Sequence, residues 1–361
     1  MPEVSVTPLA VYNPTPTVRV DEEDKDLISE LILTMDVYED EGGLSRLELR
    51  VSNVASDPEG GADFALENEQ DIKLGSMISL YSGDATRPQE IFRGIVTGLE
   101  ADFPKEDPPE LVILAEDKLQ DFRMTRRSET HSDTSIADLV ATIANRHNLT
   151  PTVTALTQQG TWVQLNESDL AFLRRILARY DADCQIVGDE IQVSVRQDVQ
   201  RGLLELELYS QLQAVKFIAD LSDQCTEVTV GGWNALAGER VSASSTGTNL
   251  GPGRGRSGAQ MLRDAIGERS EHIGQIAVTT NAEATALADA VFDSRARRFV
   301  RALGTAEGNP QLRVGTHVNI TGVSPRFENS YYVCSAHHHF DLEEGYETHF
   351  TAESYSLGVA S

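Results

Sequence analysis

The sequence predicts a mainly β protein with α+β insertions, in which two small β-barrels occur in one chain. Three observations predict this fold. Alternating strand patterns occur near both ends of the chain, helical periodicity is confined to its middle and one later segment, and an internal repeat relates the two strand regions. At 361 residues the chain is also too long for one ordinary core.

The first strand region predicts one barrel. Residues 31–38 and 47–51 alternate between apolar and polar side chains, and an acidic turn containing Gly42 and Gly43 joins them. Further strands are predicted at 77–81, 91–99 and 111–115, with turn residues at 82–84 and 105–109 between them. We therefore assign residues 1–117 to the first barrel.

The next region changes to helical spacing. Apolar residues recur at helical intervals from Ile136 to Ile143, where Thr134 or Ser135 can cap the helix start. A second helix is predicted from about 168 to 180, with Asn166 as its N-cap, and a hairpin is predicted around Gly188. Residues 118–202 are therefore predicted to form an α+β insertion domain.

Strand patterns return at 204–208, 215–218 and 226–230 and again from 312 onward. Between them lie a loop-rich stretch, 236–258, and a helix of about twenty residues that starts at a capping box of Thr280 and Glu283. We assign residues 203–234 and 303–361 to a discontinuous second barrel, and residues 235–302 to a loop-rich and helical insertion.

An internal duplication links the two strand regions. Residues 73–80 resemble 313–320, residues 92–103 match 329–340 in pattern, and residues 114–117 align with 351–354. Gly75 and Gly315 hold matching positions, each opening a strand. Three such chains around an axis would form a ring that is three-fold by sequence and nearly six-fold by shape, so the repeat predicts a homotrimer.

The charge balance excludes some functions. The chain has 57 acidic and 30 basic residues, a formal charge of -27, which would repel phosphate backbones and anionic lipid. We therefore expect no specific nucleic-acid binding and no membrane association, and no apolar run or basic leader indicates a membrane span or signal. The three cysteines, odd in number and widely spaced, are typical of synthesis in a reducing compartment.

Few motifs indicate chemistry. The histidines at 337–339, with His349, invite a zinc interpretation, but adjacent strand residues point in opposite directions, and we favour a polar strand face. The GxGxxG pattern at 253–258 lies in a Ser/Gly/Thr-rich stretch and is interpreted as a flexible loop. The sequence predicts no catalytic residue, no cofactor and no metal. Trp162 and Trp233 lie in patterned segments and are predicted to be buried.

The later segments carry a family resemblance. Residues 308–315, Gly322, residues 331–333, His338 and residues 345–350 resemble the late control protein D family of contractile-tailed phages. Residues 163–177, 228–233 and 282–290 are similar to the same family and to the related valine–glycine-repeat spike proteins of type VI secretion.

The resemblance implies a non-enzymatic, trimeric baseplate hub. Its two barrels would resemble the tail tube protein, joining a six-fold tube to a three-fold spike and lining the central channel. The implied partners are two further copies of the chain, the tail tube protein, a separate spike protein and other baseplate proteins. The protein would be made and assembled in the cytoplasm and become part of a virion tail or injection particle.

Seven residues are the structural and assembly candidates: Gly75, Gly94, Gly315, Gly322, Tyr332, Gly345 and Phe350. Two alternatives of another class remain open at this point. One is a cell-wall hydrolase carried at a tail tip, and the other is a carbohydrate-binding tail module, which would need exposed aromatic platforms.

Overall fold

Strands dominate the computed structural model, which describes residues 15–56, 62–82, 88–248 and 250–358. The mainly β class predicted from the sequence is confirmed. Of the turn predicted at 82–84, only Ser82 lies within the described residues. None of the described helices is long and apolar enough to cross a membrane.

The first region folds largely as its alternation predicts. Leu47, Leu49 and Val51 point into a core while the residues between them face outward. The elements of this region are β1 (Thr17–Val20), β2 (Glu23–Asp24), α1 (Asp26–Glu30), β3 (Ile32–Asp40), β4 (Arg46–Ser52), β5 (Ala55–Ser56), β6 (Ala62–Asp63), β7 (Met77–Ser82), β8 (Gln89–Asp102) and β9 (Glu110–Glu116). The order β3-β4-β9-β8-β7 is antiparallel throughout, and we call it the first strand set.

The middle region has its own core of packed helices and strands. Its elements are α2 (Gln120–Arg123), β10 (Arg126–Ser135), α3 (Ile136–Arg146), β11 (Thr150–Thr154), β12 (Gln159–Ser168), α4 (Asp169–Leu177), β13 (Ala182–Val187) and β14 (Glu190–Val195). Ser135 caps α3 by accepting a hydrogen bond from the backbone of Asp138. The cap predicted at Asn166 is wrong: Ser168 caps α4, and Asn166 takes a left-handed conformation with φ of 49°.

The last region contains a second sheet region and a separate smaller unit. Its elements are β15 (Gly202–Glu207), β16 (Leu212–Ala219), β17 (Glu227–Asn234), β18 (Glu239–Ser245), β19 (Arg256–Ser257), α5 (Gly258–Ala265), β20 (Ser270–Ile273), α6 (Asn281–Arg297), β21 (Val300–Glu307), β22 (Thr316–Thr321), β23 (Asn329–Asp341), β24 (Gly345–Ser354) and β25 (Ser356–Leu357). The order β16-β21-β24-β23-β22 is again antiparallel, and we call it the second strand set.

Two features of this region differ from the sequence expectation. Strand β17, placed by sequence in the second barrel, instead pairs with β18 and β20 in a three-stranded sheet that packs on α6. The stretch 236–258, expected to be loop, contains β18, β19 and the start of α5. Ser257 caps α5 through a capping box with Gln260, so the GxGxxG segment is ordered by its neighbours rather than free.

The two strand sets repeat each other in register. In the first set Met77 pairs with Ile95, and at the corresponding place in the second set His317 pairs with Tyr332. Ladder irregularities repeat as well. The β8–β9 ladder of the first set shifts register between Val96 and Gly98. The β23–β24 ladder of the second set shifts at the corresponding place, between Val333 and Ser335.

A second pair of irregularities also coincides, because the β3–β4 ladder shifts between residues 32 and 34 and the β16–β21 ladder between residues 212 and 214. Since β-bulges occupy specific places in a sheet, their repetition indicates equivalent strands: β3 with β16, β4 with β21, β7 with β22, β8 with β23 and β9 with β24. The neighbouring strands differ, because β1 pairs with β7 antiparallel and β15 pairs with β22 parallel.

Candidate functional site

The two strand sets are joined edge to edge by a ladder that we call the seam. Residues 34–40 of β3 pair antiparallel with residues 335–341 of β23, so the two sets form one continuous sheet. Strand β23 has room for this because β22 covers only its first half, from Asn329 to Tyr332. The seam therefore combines residues that lie about 300 positions apart in the chain.

The core side of the seam holds a charged pair. Glu39 is 3% exposed, and its Oε1 atom accepts a hydrogen bond of 2.8 Å from Nε of Arg313. Burial alone would raise the pKa of Glu39, but the Arg313 guanidinium lowers it below its usual range. Because Arg313 lies just before β22 of the second set and Glu39 lies on β3 of the first, this ion pair couples the two sets.

His338 also points to the core side. It is fully buried, and burial lowers the pKa of its imidazole to about 4, so the ring is neutral at physiological pH. Its Nδ1 atom lies 2.9 Å from the hydroxyl of Tyr346 and 3.3 Å from that of Thr348. His338 is thus a packed core histidine and is separated from the other histidines of its run.

Two more ion pairs connect the middle region to both strand sets. The Arg196 guanidinium bonds to Glu41, near the end of β3, at 2.6 Å and to Glu353 of β24 at 3.2 Å. It also lies over the ring of the assembly candidate Tyr332, 4.3 Å from the ring centroid. Because Arg196 and Glu353 are both buried, these contacts hold the three parts in one arrangement.

The candidate glycines occupy turns or close contacts. Gly75 and Gly315 have φ of 86° and 88°, and each donates its backbone N–H to the equivalent carbonyl, that of Val96 or Val333. Gly322 and Gly345 also have positive φ, at the turns that follow β22 and β23.

The remaining candidates are set by packing. At Gly94 a Cβ atom would lie 2.3 Å from the carbonyl oxygen of Glu116, so only glycine fits there. Phe350 is buried and packs over Gly304, where a Cβ atom would meet its ring at 2.5 Å. Tyr332, the last of the seven, is the residue beneath Arg196. The structure therefore distributes the seven candidates over turns and sheet contacts and does not bring them together at one point.

The opposite side of the sheet, which we call the open face, carries a cluster that sequence reasoning missed. His337 and His339 share this face, as predicted for alternate strand residues, and both donate to Oδ1 of Asp36, at 2.7 and 2.8 Å. Partial burial alone would raise the pKa of Asp36, but these two hydrogen bonds lower it. Asp36 gave no sequence signal because its contact with the histidines depends on the seam.

The open face is predominantly acidic. Strand partners place the following acids on it: Asp36, Asp40, Glu48, Glu100, Asp102, Glu110, Glu116, Glu307, Asp341 and Glu347. The basic side chains on the same face of the two strand sets are fewer: Arg46, Arg50, Arg93, Lys216 and Arg301. The face thus carries a net negative charge across both strand sets.

The prediction that Trp233 is buried is wrong. Its side chain is 59% exposed on β17, because Val228 and Val230 of that strand take the core-facing positions. Trp162 is 8% exposed, and its indole N–H donates to the carbonyl of Thr134 at 2.8 Å. The structure therefore has one exposed tryptophan, within the residues described, on the unit formed by β17, β18 and β20.

Comparison with solved structures shows which fold this is. The chain is similar to the 43 kDa tail protein of prophage MuSo2 from Shewanella oneidensis, with a TM-score of 0.68, 11% identity and coverage of 94% of this chain and 97% of that one. It is similar to a tail protein from Neisseria meningitidis MC58, with a TM-score of 0.64, 11% identity and coverage of 94% and 96%. The chain thus has the fold of phage tail proteins.

The same fold occurs in a secretion component. The E. coli c3393 protein, described as a component of the type VI secretion system, matches with a TM-score of 0.57 and 14% identity over 95% of this chain and 77% of that one.

A family model described as the Alg8 N-terminal domain matches residues 50–341, and the chain belongs to that family. A search of curated proteins found no significant match.

Proposed function

We propose that the protein is a non-enzymatic structural hub of a contractile phage tail or a phage-derived injection system, of the late control protein D type. In this role it is a homotrimer that joins a six-fold tail tube to a three-fold spike and contacts other baseplate proteins. It would be made and assembled in the cytoplasm and become part of a virion tail or injection particle. The observation that supports this is the pair of strand sets with equivalent registers, joined by the seam.

Equivalence between the sets suggests how copies assemble. The seam joins β3 to the second half of β23, so the equivalent contact would join β16 to the second half of β8. Within the described residues, positions 214–219 of β16 pair only with β21, and residues 97–102 of β8 pair only with β9. Each copy thus offers two free edges, and a free edge is a template for strand addition by another chain. Three copies joined in this way would close a ring of six strand sets.

The register of this contact between copies follows from the repeat. Lys216 is equivalent to Asp36, and Asp102 is equivalent to His339. Asp36 and His339 face each other across the seam. Lys216 of one copy would therefore face Asp102 of the next. Both side chains are exposed in the single chain, and the nearby Phe103 is 59% exposed, so the contact would pair opposite charges beside an apolar residue.

A charge-reversal experiment tests the trimer. Sedimentation or native mass measurement of the chain, alone and with a spike protein, should show three copies. Lys216→Glu or Asp102→Lys should abolish that species through like-charge repulsion, and the two changes together should restore it. Arg240→Glu is the matched control, because Arg240 is exposed on β18, in the separate three-stranded sheet. Trimers in both single variants, or a wild-type monomer under both conditions, would contradict the proposal.

The open face is the surface we propose for the channel wall. Its acidic excess would repel a polyanion such as DNA, and this agrees with a channel that passes cargo without binding it. Two further exposed acids, Glu343 and Glu344, lie in the turn after β23. A reconstruction of the assembled trimer should show the open face toward the axis, and a basic or neutral lumen would remove this part of the proposal.

A carbohydrate-binding tail module is a second candidate, because Trp233 supplies an exposed aromatic surface and the fully exposed Leu236 lies nearby in sequence. Glycan-array binding that is lost in Trp233→Ala would favour it, and absence of binding would favour the hub alone. A tail-tip hydrolase would be recognised by digestion of purified cell walls, which we do not expect.

A further inference from the structure

The cluster on the open face contains the donor groups of a metal site. Asp36 of β3 and His337 and His339 of β23 place one ligand atom each within 4.8 Å of one another. Nε2 of His337 and Nδ1 of His339 both point at the same carboxylate oxygen. Two imidazoles and one carboxylate are donors that zinc and neighbouring first-row divalent metals accept.

We propose that Asp36, His337 and His339 bind a divalent transition-metal ion of the zinc class. The ion would take one ligand from β3 and two from β23 and would thus link the two strand sets across the seam. This site is separate from the hub role proposed above and does not depend on it. No sequence motif contains it, because its ligands come from both ends of the chain.

The surroundings of His339 match those of a metal ligand. Its second ring nitrogen, Nε2, lies 3.4 Å from Oδ2 of Asp341. The other oxygen of Asp341 is held by the backbone N–H groups of Glu343 and Glu344, at 2.8 and 2.6 Å. Metal-bound histidines commonly donate their other N–H to a carboxylate, which fixes the ring and makes it a better donor.

His337 is oriented by stacking instead. Its ring lies parallel to that of Tyr38, with centroids 4.2 Å apart and planes 9° apart. The guanidinium of Arg46 lies over the ring of Tyr38 as well, 4.5 Å from its centroid. His337 therefore reaches Asp36 with a ring whose direction is set by the sheet and not by the carboxylate alone.

The site is also reachable. The side chains of Asp36, His337 and His339 are between 20% and 26% exposed, so an ion can enter from the open face and keep water as a further ligand. His349 lies beside both rings, with its centroid 5.4 Å from that of His337, but its Nδ1 is bonded to the hydroxyl of Thr305 at 3.0 Å. We therefore count three protein ligands.

Zinc titration of the untagged full-length chain tests the proposal. Calorimetry against a competing chelator should show one Zn²⁺ per wild-type chain, and Co²⁺ should give the visible absorption of a low-symmetry site. Asp36→Asn and His339→Gln should lose this binding, and Asp341→Asn, which removes only the outer carboxylate, should weaken it about 10- to 100-fold. His272→Asn is the control, because His272 is on β20, away from the seam, and contacts Thr229.

Circular dichroism of the metal-free variants separates loss of ligands from loss of folding. If Asp36→Asn does not fold, the weaker binding expected of Asp341→Asn still tests the site. Equal zinc affinity in the wild type and in folded variants at positions 36, 339 and 341 would overturn the proposal. So would a wild-type chain that binds no zinc at micromolar concentration.

Discussion

The equivalent glycines Gly75 and Gly315 offer a matched pair of substitutions. Both have nearly the same positive φ, so alanine at either position should cost about 1–2 kcal/mol of backbone strain. Their surroundings differ. A Cβ atom at Gly75 would meet nothing within 4 Å, whereas at Gly315 it would lie 2.8 Å from Cγ1 of Val199 and 2.5 Å from the guanidinium of Arg201.

The extra cost at Gly315 follows from these contacts. The end of Arg201 can move, but that side chain bonds to Asp183 at 2.8 Å and to the carbonyl of Val314 at 3.1 Å. Val199 is only 4% exposed, so its methyl group cannot move freely. Overpacking of this kind costs about 1–3 kcal/mol, so we expect Gly315→Ala to cost about 2–5 kcal/mol in total.

Urea unfolding followed by circular dichroism measures the difference between the two variants. Gly315→Ala should shift the midpoint further than Gly75→Ala, and Val199→Ala should recover part of the cost of the former only. If the two glycine variants agreed within about 0.5 kcal/mol, the proposed contact with Val199 would be wrong. Gly315→Val should be more damaging still and should disrupt the second strand set.

Three further predictions concern buried polar groups. Arg196→Met should destabilise the protein by about 3–5 kcal/mol, because it leaves Glu353 buried without this partner, and Glu353→Gln added to it should recover part of the loss in the same unfolding assay. The folded pKa of His338, about 4, lies below its unfolded value of 6.5, so the unfolded chain binds the proton more tightly. The free energy of unfolding should therefore fall by up to about 3 kcal/mol as the pH drops from 6.5 to 4, and His338→Gln should flatten that part of the pH profile. Burial raises the pKa of Cys184 to about 12, so iodoacetamide at pH 8 should alkylate it only after unfolding, as peptide mass measurement would show.

The repeat was the part of the fold that sequence predicted best. Equivalent positions need the same residue types, as Gly75 and Gly315 do before a strand, so the repeat is visible in the sequence itself. Short apolar alternation also located β4 and β7–β9 closely. Local patterns report local structure, so these elements could be derived without knowing what they pair with.

Pairing between distant strands could not be derived in this way. Nothing near Asp36 indicates that β3 will lie against β23, so the cluster with His337 and His339 had no sequence signature. The position of β17 was missed for the same reason, since its apolar alternation suits either sheet. Trp233 was a different error, because the alternation from Val228 and Val230 already points its side chain outward.

The two joints of the proposed ring would be held by different chemistry at equivalent places. In the seam within one chain, Asp36 faces His339 and lies beside His337. By the repeat, the joint between copies would place Lys216 opposite Asp102 and beside Glu100. A backbone ladder is common to both joints, but the open-face groups differ.

This difference gives the two joints distinct dependences. An imidazole–carboxylate cluster that binds a metal is sensitive to chelators and to acid, because protons compete for its ligands. A lysine between two carboxylates at an exposed edge is sensitive to salt, because the charges are screened over about 10 Å at 0.1 M ionic strength. A chelator should therefore loosen the seam within each chain without separating copies. Raised salt should separate copies while leaving the seam intact. If chelator and salt acted on the same step, the two joints would not have distinct chemistries. The register equivalence between β3 and β16 would then not extend to the contact between chains.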